Sequence, residues 1–231
     1  HVQPFWWERR EMQLATAALF LLLLYGAFRG RVRALHVREQ RLSALVAART
    51  REIEQQKSDL ATANQQLYEL SIRDGLTGVF NRRHALEEAR RRLLDERSHG
   101  LCLALIDLDH FKAINDRFGH IAGDEALRSF AQALLAQSGP GDIIGRYGGE
   151  EFVCLLCDRD IDQGRHWADT LLRRVRESQI AGPNCEIRIT ASIGLVAIDA
   201  AAELPLEVWI ARADAALYRA KAGGRDSVRV G

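Results

Sequence analysis

The sequence predicts an α+β fold: a ferredoxin-like, palm-type domain with a mostly antiparallel central sheet, preceded by a transmembrane helix and a coiled-coil helix. Three observations predict it. Residues 12–28 are apolar apart from Gln13 and Thr16. Residues 42–70 follow an apolar heptad. Beyond residue 71, runs of strand and helix character succeed one another as strand, helix, strand, strand, helix, strand. That is the order of a ferredoxin-like sheet, read here with its helices on one face.

Composition sets the frame. With 231 residues, 47% of them hydrophobic, the chain can build one sizeable core and something beyond it. A net charge of +1 gives no reason to expect a nucleic-acid partner. Cys102, Cys154, Cys157 and Cys185 lie in or beside apolar runs and read as small hydrophobes. Cys154 and Cys157 form a C-x-x-C, but on a strand they point to opposite faces, which argues against zinc or redox chemistry.

Residues 1–11 lack an initiator Met and carry Phe5, Trp6 and Trp7 before Glu8, Arg9 and Arg10; they read as the end of a truncated periplasmic region. The 17 residues 12–28 just reach the length a membrane helix needs. No small-residue cleavage site follows, which disfavours a signal peptide; a buried soluble helix stays open. Aromatics at one end and Arg29, Arg31, Arg33 and Arg38 at the other suit a span with its C-terminal side cytoplasmic, in a bacterial inner membrane. Residues 29–72 read as a juxtamembrane and coiled-coil signalling helix. Val46, Ile53, Leu60 and Leu67 fill one heptad position, and Leu42, Ala63 and Leu70 the other, which Arg49 and Gln56 interrupt. Branched residues at a with Leu at d favour a parallel dimer, and the polar interruptions leave its pairing adjustable. An amphipathic helix packed on its own domain is the alternative.

Residues 73–231 form the next domain. Glycines in 73–78 break the long helix, and a helix is expected over 81–96. Residues 101–106 are continuously apolar, as for a strand buried on both faces, and end in Asp107-Leu108-Asp109. A helix should begin near Phe111, break near 117–120 and resume over 124–137. A hairpin over 142–156 turns at Gly148-Gly149, where a side chain would obstruct the chain. A helix over 162–178, a strand over 187–196, a helix over 206–222 and a strand near Val228 complete the order.

This order makes the first and third strands antiparallel neighbours, which brings Asp107 close to Glu150. Like charges at that range call for a cation, and hard oxygen ligands suit Mg²⁺ held together with substrate phosphates. The N–H groups of residues 110–112 open a helix, favouring an anion, and Lys112 adds charge. Lys221 and Arg225 flank a Gly-Gly turn. Asn115 and Asp124, an amide and a carboxylate, suit the donor and acceptor edge of guanine.

Taken together the motifs closely resemble the GGDEF family of diguanylate cyclases. They are Asp74-Gly75-Leu76-Thr77-Gly78-Val79-Phe80-Asn81-Arg82-Arg83; Asp107-Leu108-Asp109-His110-Phe111-Lys112-Ala113-Ile114-Asn115-Asp116; Gly119-His120 with Gly123-Asp124; and Gly148-Gly149-Glu150-Glu151-Phe152. Thr190-Ala191-Ser192-Ile193-Gly194 and Ala213-Asp214-Ala215-Ala216-Leu217-Tyr218, with Lys221 and Arg225, complete the match over residues 71–228. The resemblance implies a homodimer that condenses two GTP to cyclic di-3′,5′-guanylate and two pyrophosphates, regulated through the coiled coil by an upstream sensor. It implies two Mg²⁺ or Mn²⁺ per half-site, held by Asp107, the Leu108 carbonyl and Glu150, with Glu150 also helping to deprotonate the 3′-hydroxyl. Asn115 and Asp124 would read guanine; Phe111, Lys112, Lys221 and Arg225 would hold phosphates; Gly148 and Gly149 would let the nucleotide approach the hairpin backbone.

Two departures stand out. Many relatives carry an inhibitory product site, Arg-x-x-Asp, where this chain has Gly139-Pro140-Gly141-Asp142, so strong product inhibition is not expected there. The final motif ends Arg225-Asp226 where Asn is common second. A catalytically silent GTP-binding scaffold is the competing reading, and it would require replaced metal or base residues. A different nucleotidyl cyclase on the same fold is disfavoured by Asn115 with Asp124.

Overall fold

A computed structural model describes residues 10–94, 100–178, 180–181, 186–199 and 202–231. The chain divides into two compact units, His1–Gln65 and Gln66–Gly231. Helix α1 (Arg10–Ile72) runs without interruption through the first unit into the second. By length and composition its apolar part is enough to cross a bilayer. Its heptad residues Leu42, Val46, Ile53, Leu60, Leu67 and Leu70 are all exposed on the single chain. Residues 1–9 of the expected periplasmic remnant lie outside the described residues.

The second unit contains, in order, β1 (Phe80–Asn81), α2 (Arg82–Leu93), β2 (Leu101–Leu108), α3 (Phe111–Phe118), α4 (His120–Gln137), β3 (Ile143–Gly148) and β4 (Glu151–Leu156). It continues with α5 (Ile161–Glu177), β5 (Ile180–Ala181), β6 (Glu186–Ile187), β7 (Ala191–Ile198), α6 (Leu206–Ala222) and β8 (Val228–Val230). The main sheet has the order β1-β3-β4-β2-β7-β8. Its inner strands β3, β4, β2 and β7 pair antiparallel, the ferredoxin-like arrangement expected. Parallel pairs β1–β3 and β7–β8 extend both edges, so the sheet is mixed.

Helices cover both faces of the sheet, not one. All eight residues of β2 are buried, a pattern that itself demands cover on each side. Cys102, Ala104, Ile106 and Leu108 join the core beneath α3, α4 and α5, while Leu101, Leu103 and Leu105 join that beneath α2 and α6. Cys154 and Cys157 likewise fall in opposite layers, and burial raises both thiols above their ordinary range. Cys185 lies outside the described residues.

Several boundaries differ from expectation for local reasons. Asn81 is the cap of α2, its side chain accepting from His84 N at 3.0 Å, so the helix begins at Arg82. The predicted end at Glu96 lies outside the described residues. Helix α4 starts at His120, four residues before the expected Asp124, because Gly119 alone (φ 84°) makes the break. The strand expected over 187–196 is displaced: Ile187 ends the small β5–β6 hairpin, and β7 starts at Ala191, where pairing with β2 begins.

Candidate active site

The centre of the site is set by strand register. Asp107 pairs with Glu151 on β4 and with Ser192 on β7. The Leu108 N–H donates to the Glu150 carbonyl at 3.3 Å. Opposite residues share a face, so Asp107 and Glu151 both project toward α6, whose last turn carries Lys221. The Lys221 ammonium meets Asp107 Oδ2 at 2.7 Å. Burial pushes the Asp107 carboxyl above its ordinary value; Lys221 opposes the shift, and Glu150 and Asp109 add to it. Glu151 is raised in the same direction by burial and then by Asp107.

The local chemistry therefore carries more negative charge than one lysine neutralises. Hard carboxylate oxygens, partly desolvated and mutually repelling, form a donor set that suits a divalent cation. Among the described residues, no three acidic, histidine or cysteine side chains are already drawn together as a ligand cage. The acids of β2 and the hairpin fit a metal that would draw them together, with Lys221 holding Asp107 meanwhile.

The hairpin that presents Glu150 is braced from outside the sheet. Gly148 ends β3, and Gly149 takes φ +47°, a left-handed turn that glycine enters without steric cost. Arg146 Nε donates to the Gly149 carbonyl at 2.9 Å, and its Nη1 reaches both oxygens of Asp74 at 3.1 and 3.2 Å. Asp74 also accepts from Thr77 N at 2.9 Å and Thr77 Oγ1 at 2.6 Å. Burial opposes ionisation of Asp74, but the Thr77 bonds and the Arg146 guanidinium hold its carboxyl below the usual value.

A second organiser lies two residues beyond Asp107. Asp109 is only 3% exposed, and its carboxylate accepts from Thr190 Oγ1 (2.9 Å), Ser192 Oγ (2.7 Å) and the Asp226 N–H (3.0 Å). It thereby anchors the loop that carries Arg225, where Arg225 and Asp226 both take positive φ. Asp226 pairs with Arg176 of α5 at 2.7 Å, which gives the acid at this position a partner that an amide would serve less well.

The remaining predicted residues fall on α3 and α4. His110, at φ 57°, caps α3 without a side-chain hydrogen bond, and Phe111 and Lys112 form its first turn. Asn115 follows one turn later, and Asp124 lies in the first turns of α4. The predicted residues thus form two groups joined by the turn 109–111. One is the acid and cation group, with Asp107, Leu108, Glu150 and Lys221, the hairpin glycines Gly148 and Gly149, and Arg225 on the loop that Asp109 anchors; the other is Phe111, Lys112, Asn115 and Asp124.

Residues 71–227, most of this unit, match the family described as "Diguanylate cyclase, GGDEF domain". The chain belongs to the GGDEF family. The probable diguanylate cyclase DgcC of Escherichia coli K12 is 35% identical over 181 residues, 76% of this chain and 47% of DgcC. The chain therefore spans about half the length of that relative. Among solved structures, the coiled coil and GGDEF domain of DgcB from Caulobacter crescentus, in complex with c-di-GMP, superposes with a TM-score of 0.71 at 28% identity. The match covers 82% of this chain and 99% of that one. The diguanylate cyclase SiaD of Pseudomonas aeruginosa, in complex with its activator SiaC, gives 0.70 at 29% identity, over 96% of this chain and 85% of SiaD.

In this GGDEF domain Asp142 is already saturated. It accepts from Gly139 N (2.7 Å), Cys157 N (2.9 Å) and Arg159 Nη1 (2.7 and 2.8 Å), and its side chain is 1% exposed. A Cβ at Gly139 would come within 2.9 Å of Arg159 Nη2. Arg159 thus supplies from the β4–α5 connection the guanidinium that position 139 lacks.

Glu151, Asp109 and the Asp74–Arg146 pair were not assigned site roles from the sequence. Glu151 was legible in principle, since period-two alternation places it on the face of Val153 and Leu155. The other two depend on contacts across 72 residues or more of chain and have no local signature.

Proposed function

We propose that the chain is a diguanylate cyclase that condenses two GTP to cyclic di-3′,5′-guanylate and two pyrophosphates. The observation that carries this reading is the register that sets Asp107 against the Glu150–Glu151 pair, with Lys221 at 2.7 Å. Asp107, the Leu108 carbonyl and Glu150 would hold the divalent cations, Mg²⁺ or Mn²⁺, two per half-site. When bound, these supply charge neutralisation on the phosphates and lower the pKa of the attacking hydroxyl.

The chain's own residues do the rest. Phe111 and Lys112, with the open N–H groups at the start of α3, receive phosphates, and Lys221 and Arg225 add two cations from the α6 end. Asn115 and Asp124 read the guanine edge, and Gly148 and Gly149 let the nucleotide lie against the hairpin. Glu150 takes the proton of the 3′-hydroxyl as that oxygen attacks the α-phosphorus of the other GTP; the bond to pyrophosphate breaks in the same displacement. Asp109 and the Asp74–Arg146 brace hold the two loops in place without touching substrate.

One domain holds one GTP, so ring closure needs two domains face to face. The exposed heptad of α1 supports a homodimer whose register sets that apposition under an upstream sensor. Residues 12–28 would anchor it in a bacterial inner membrane, with residues 73–231 as the cytoplasmic catalytic domain.

The test is incubation of the full chain in detergent with GTP and Mg²⁺, with products identified by mass spectrometry. Cyclic di-guanylate and pyrophosphate are expected from the wild type and none from Glu150→Ala. A Glu150→Ala variant that keeps most of the wild-type rate would refute the assignment.

A further inference from the structure

Gly123 is the fourth residue of α4 and is buried. Glycine inside a helix is less favourable than alanine, so its presence here needs a physical reason. Backbone conformation is not that reason, since Gly123 is absent from the positive-φ residues. Space is. A Cβ at this position would fall onto Asn115 Oδ1, 2.9 Å from Asn115 Cγ and 3.2 Å from Phe111 Cζ. The Asn115 amide therefore lies directly on the bare backbone of α4, one residue before Asp124.

We propose that Gly123 is a specificity-determining positioning residue, whose missing side chain lets the Asn115 amide lie beside Asp124 so that both reach one purine edge. This rests on the guanine-reading role given above to Asn115 and Asp124, and goes beyond it by naming what fixes the amide. The surrounding backbone cannot absorb a methyl group. Gly119 alone separates α3 from α4; its N–H donates to Asn115 O at 2.9 Å, and its carbonyl accepts from Ala122 N and Gly123 N at 3.1 and 3.3 Å. The Phe111 ring packs against the core and yields little. Asn115 is only half-buried, so a methyl group at 123 is relieved by swinging the amide toward solvent.

Gly194 makes the contrast. A Cβ there would meet backbone atoms, Ala213 O and Leu217 N, so that glycine serves the packing of β7 on α6. At Gly123 the first atoms met belong to a single polar side chain. A structural glycine loses fold when substituted; this one loses recognition while the helix gains propensity.

The experiment uses the full chain in detergent, with the α,β-methylene analogue of GTP as the titration probe and GTP turnover beside it. Gly123→Ala should weaken the probe about tenfold, the scale of one hydrogen bond lost from a paired polar edge. KM for GTP should rise by a similar factor, kcat should fall less than KM rises, and the thermal midpoint should stay level or increase. Asn115→Ala should give the same loss, and adding Gly123→Ala to it should cause no further change. If Asn115→Ala weakens the probe and Gly123→Ala does not, the positioning role is wrong and the guanine reading stands. If neither does, the guanine reading itself fails. Additive losses in the double variant overturn the inference as well. Should Gly123→Ala misfold, recovery of folding in the double variant supports the Asn115 overlap, and continued misfolding overturns it.

Discussion

Replacing Asp74 should loosen the catalytic hairpin from a position that touches no substrate. Its carboxylate accepts three bonds from Leu76 and Thr77 and two from Arg146, and the ion pair is only 18% and 22% exposed. A charged hydrogen bond of this kind contributes about 1.5–3 kcal/mol and a neutral one about 1, less than additively where one carboxylate makes them all. Partial exposure discounts the ionic share. Asp74→Ala should thus cost about 2–4 kcal/mol, and Asp74→Asn, which keeps an acceptor oxygen, about 1 kcal/mol.

The sign of the pH dependence follows from the depressed carboxyl. Its stabilisation is present above the ordinary value of 3.8 and is lost as pH falls through the lower folded-state value. The gap between wild type and Asp74→Asn should therefore be constant from neutrality to about pH 4 and close below it. Urea unfolding followed by the near-ultraviolet signal of buried Trp167 and Trp209 reports this unit without the large helical signal of α1. Turnover should fall further than stability, about tenfold for Asp74→Asn, because Arg146 also holds the Gly149 carbonyl. A cost below about 0.5 kcal/mol for Asp74→Ala, or a gap that persists unchanged below pH 3, would refute the reasoning.

Three further outcomes are expected. Asp124→Ala should remove the strong preference for GTP over ATP, read as a mixed adenine and guanine product by mass spectrometry. Gly139→Arg should not create product inhibition on its own, because Arg159 already fills the oxygens of Asp142; tight, Asp142-dependent cyclic di-guanylate binding in a titration would contradict this. Leu60→Lys with Leu67→Lys puts like charges into the heptad seam and should shift the chain toward monomer, measured by light scattering. Turnover per chain should then drop at least about tenfold at a fixed protein concentration.

The order of the four inner strands, the antiparallel meeting of β2 and β4, and helix α6 at residues 206–222 follow from patterns in the sequence, whereas β1, the β5–β6 pair and the parallel pairing of β8 do not. A continuous apolar run, a Gly-Gly turn and a 3.6-residue period each act over a few residues, so they can be read without neighbours. The family and most candidate site residues are legible for the same reason, since their motifs are short and occur in order.

Distant packing decided the rest. The run 101–106 already calls for cover on both faces; what packing decided is which helices supply it, α3, α4 and α5 on one side and α2 and α6 on the other. Glu151 joins Asp107 only through register, and Arg159 reaches Asp142 only because the β3–β4 hairpin folds its two ends together. Gly123 and Asn115 meet because one glycine turns α4 back over α3. Side-chain partners fixed by a turn of the backbone have no period or spacing of their own, and so belong to the tertiary structure.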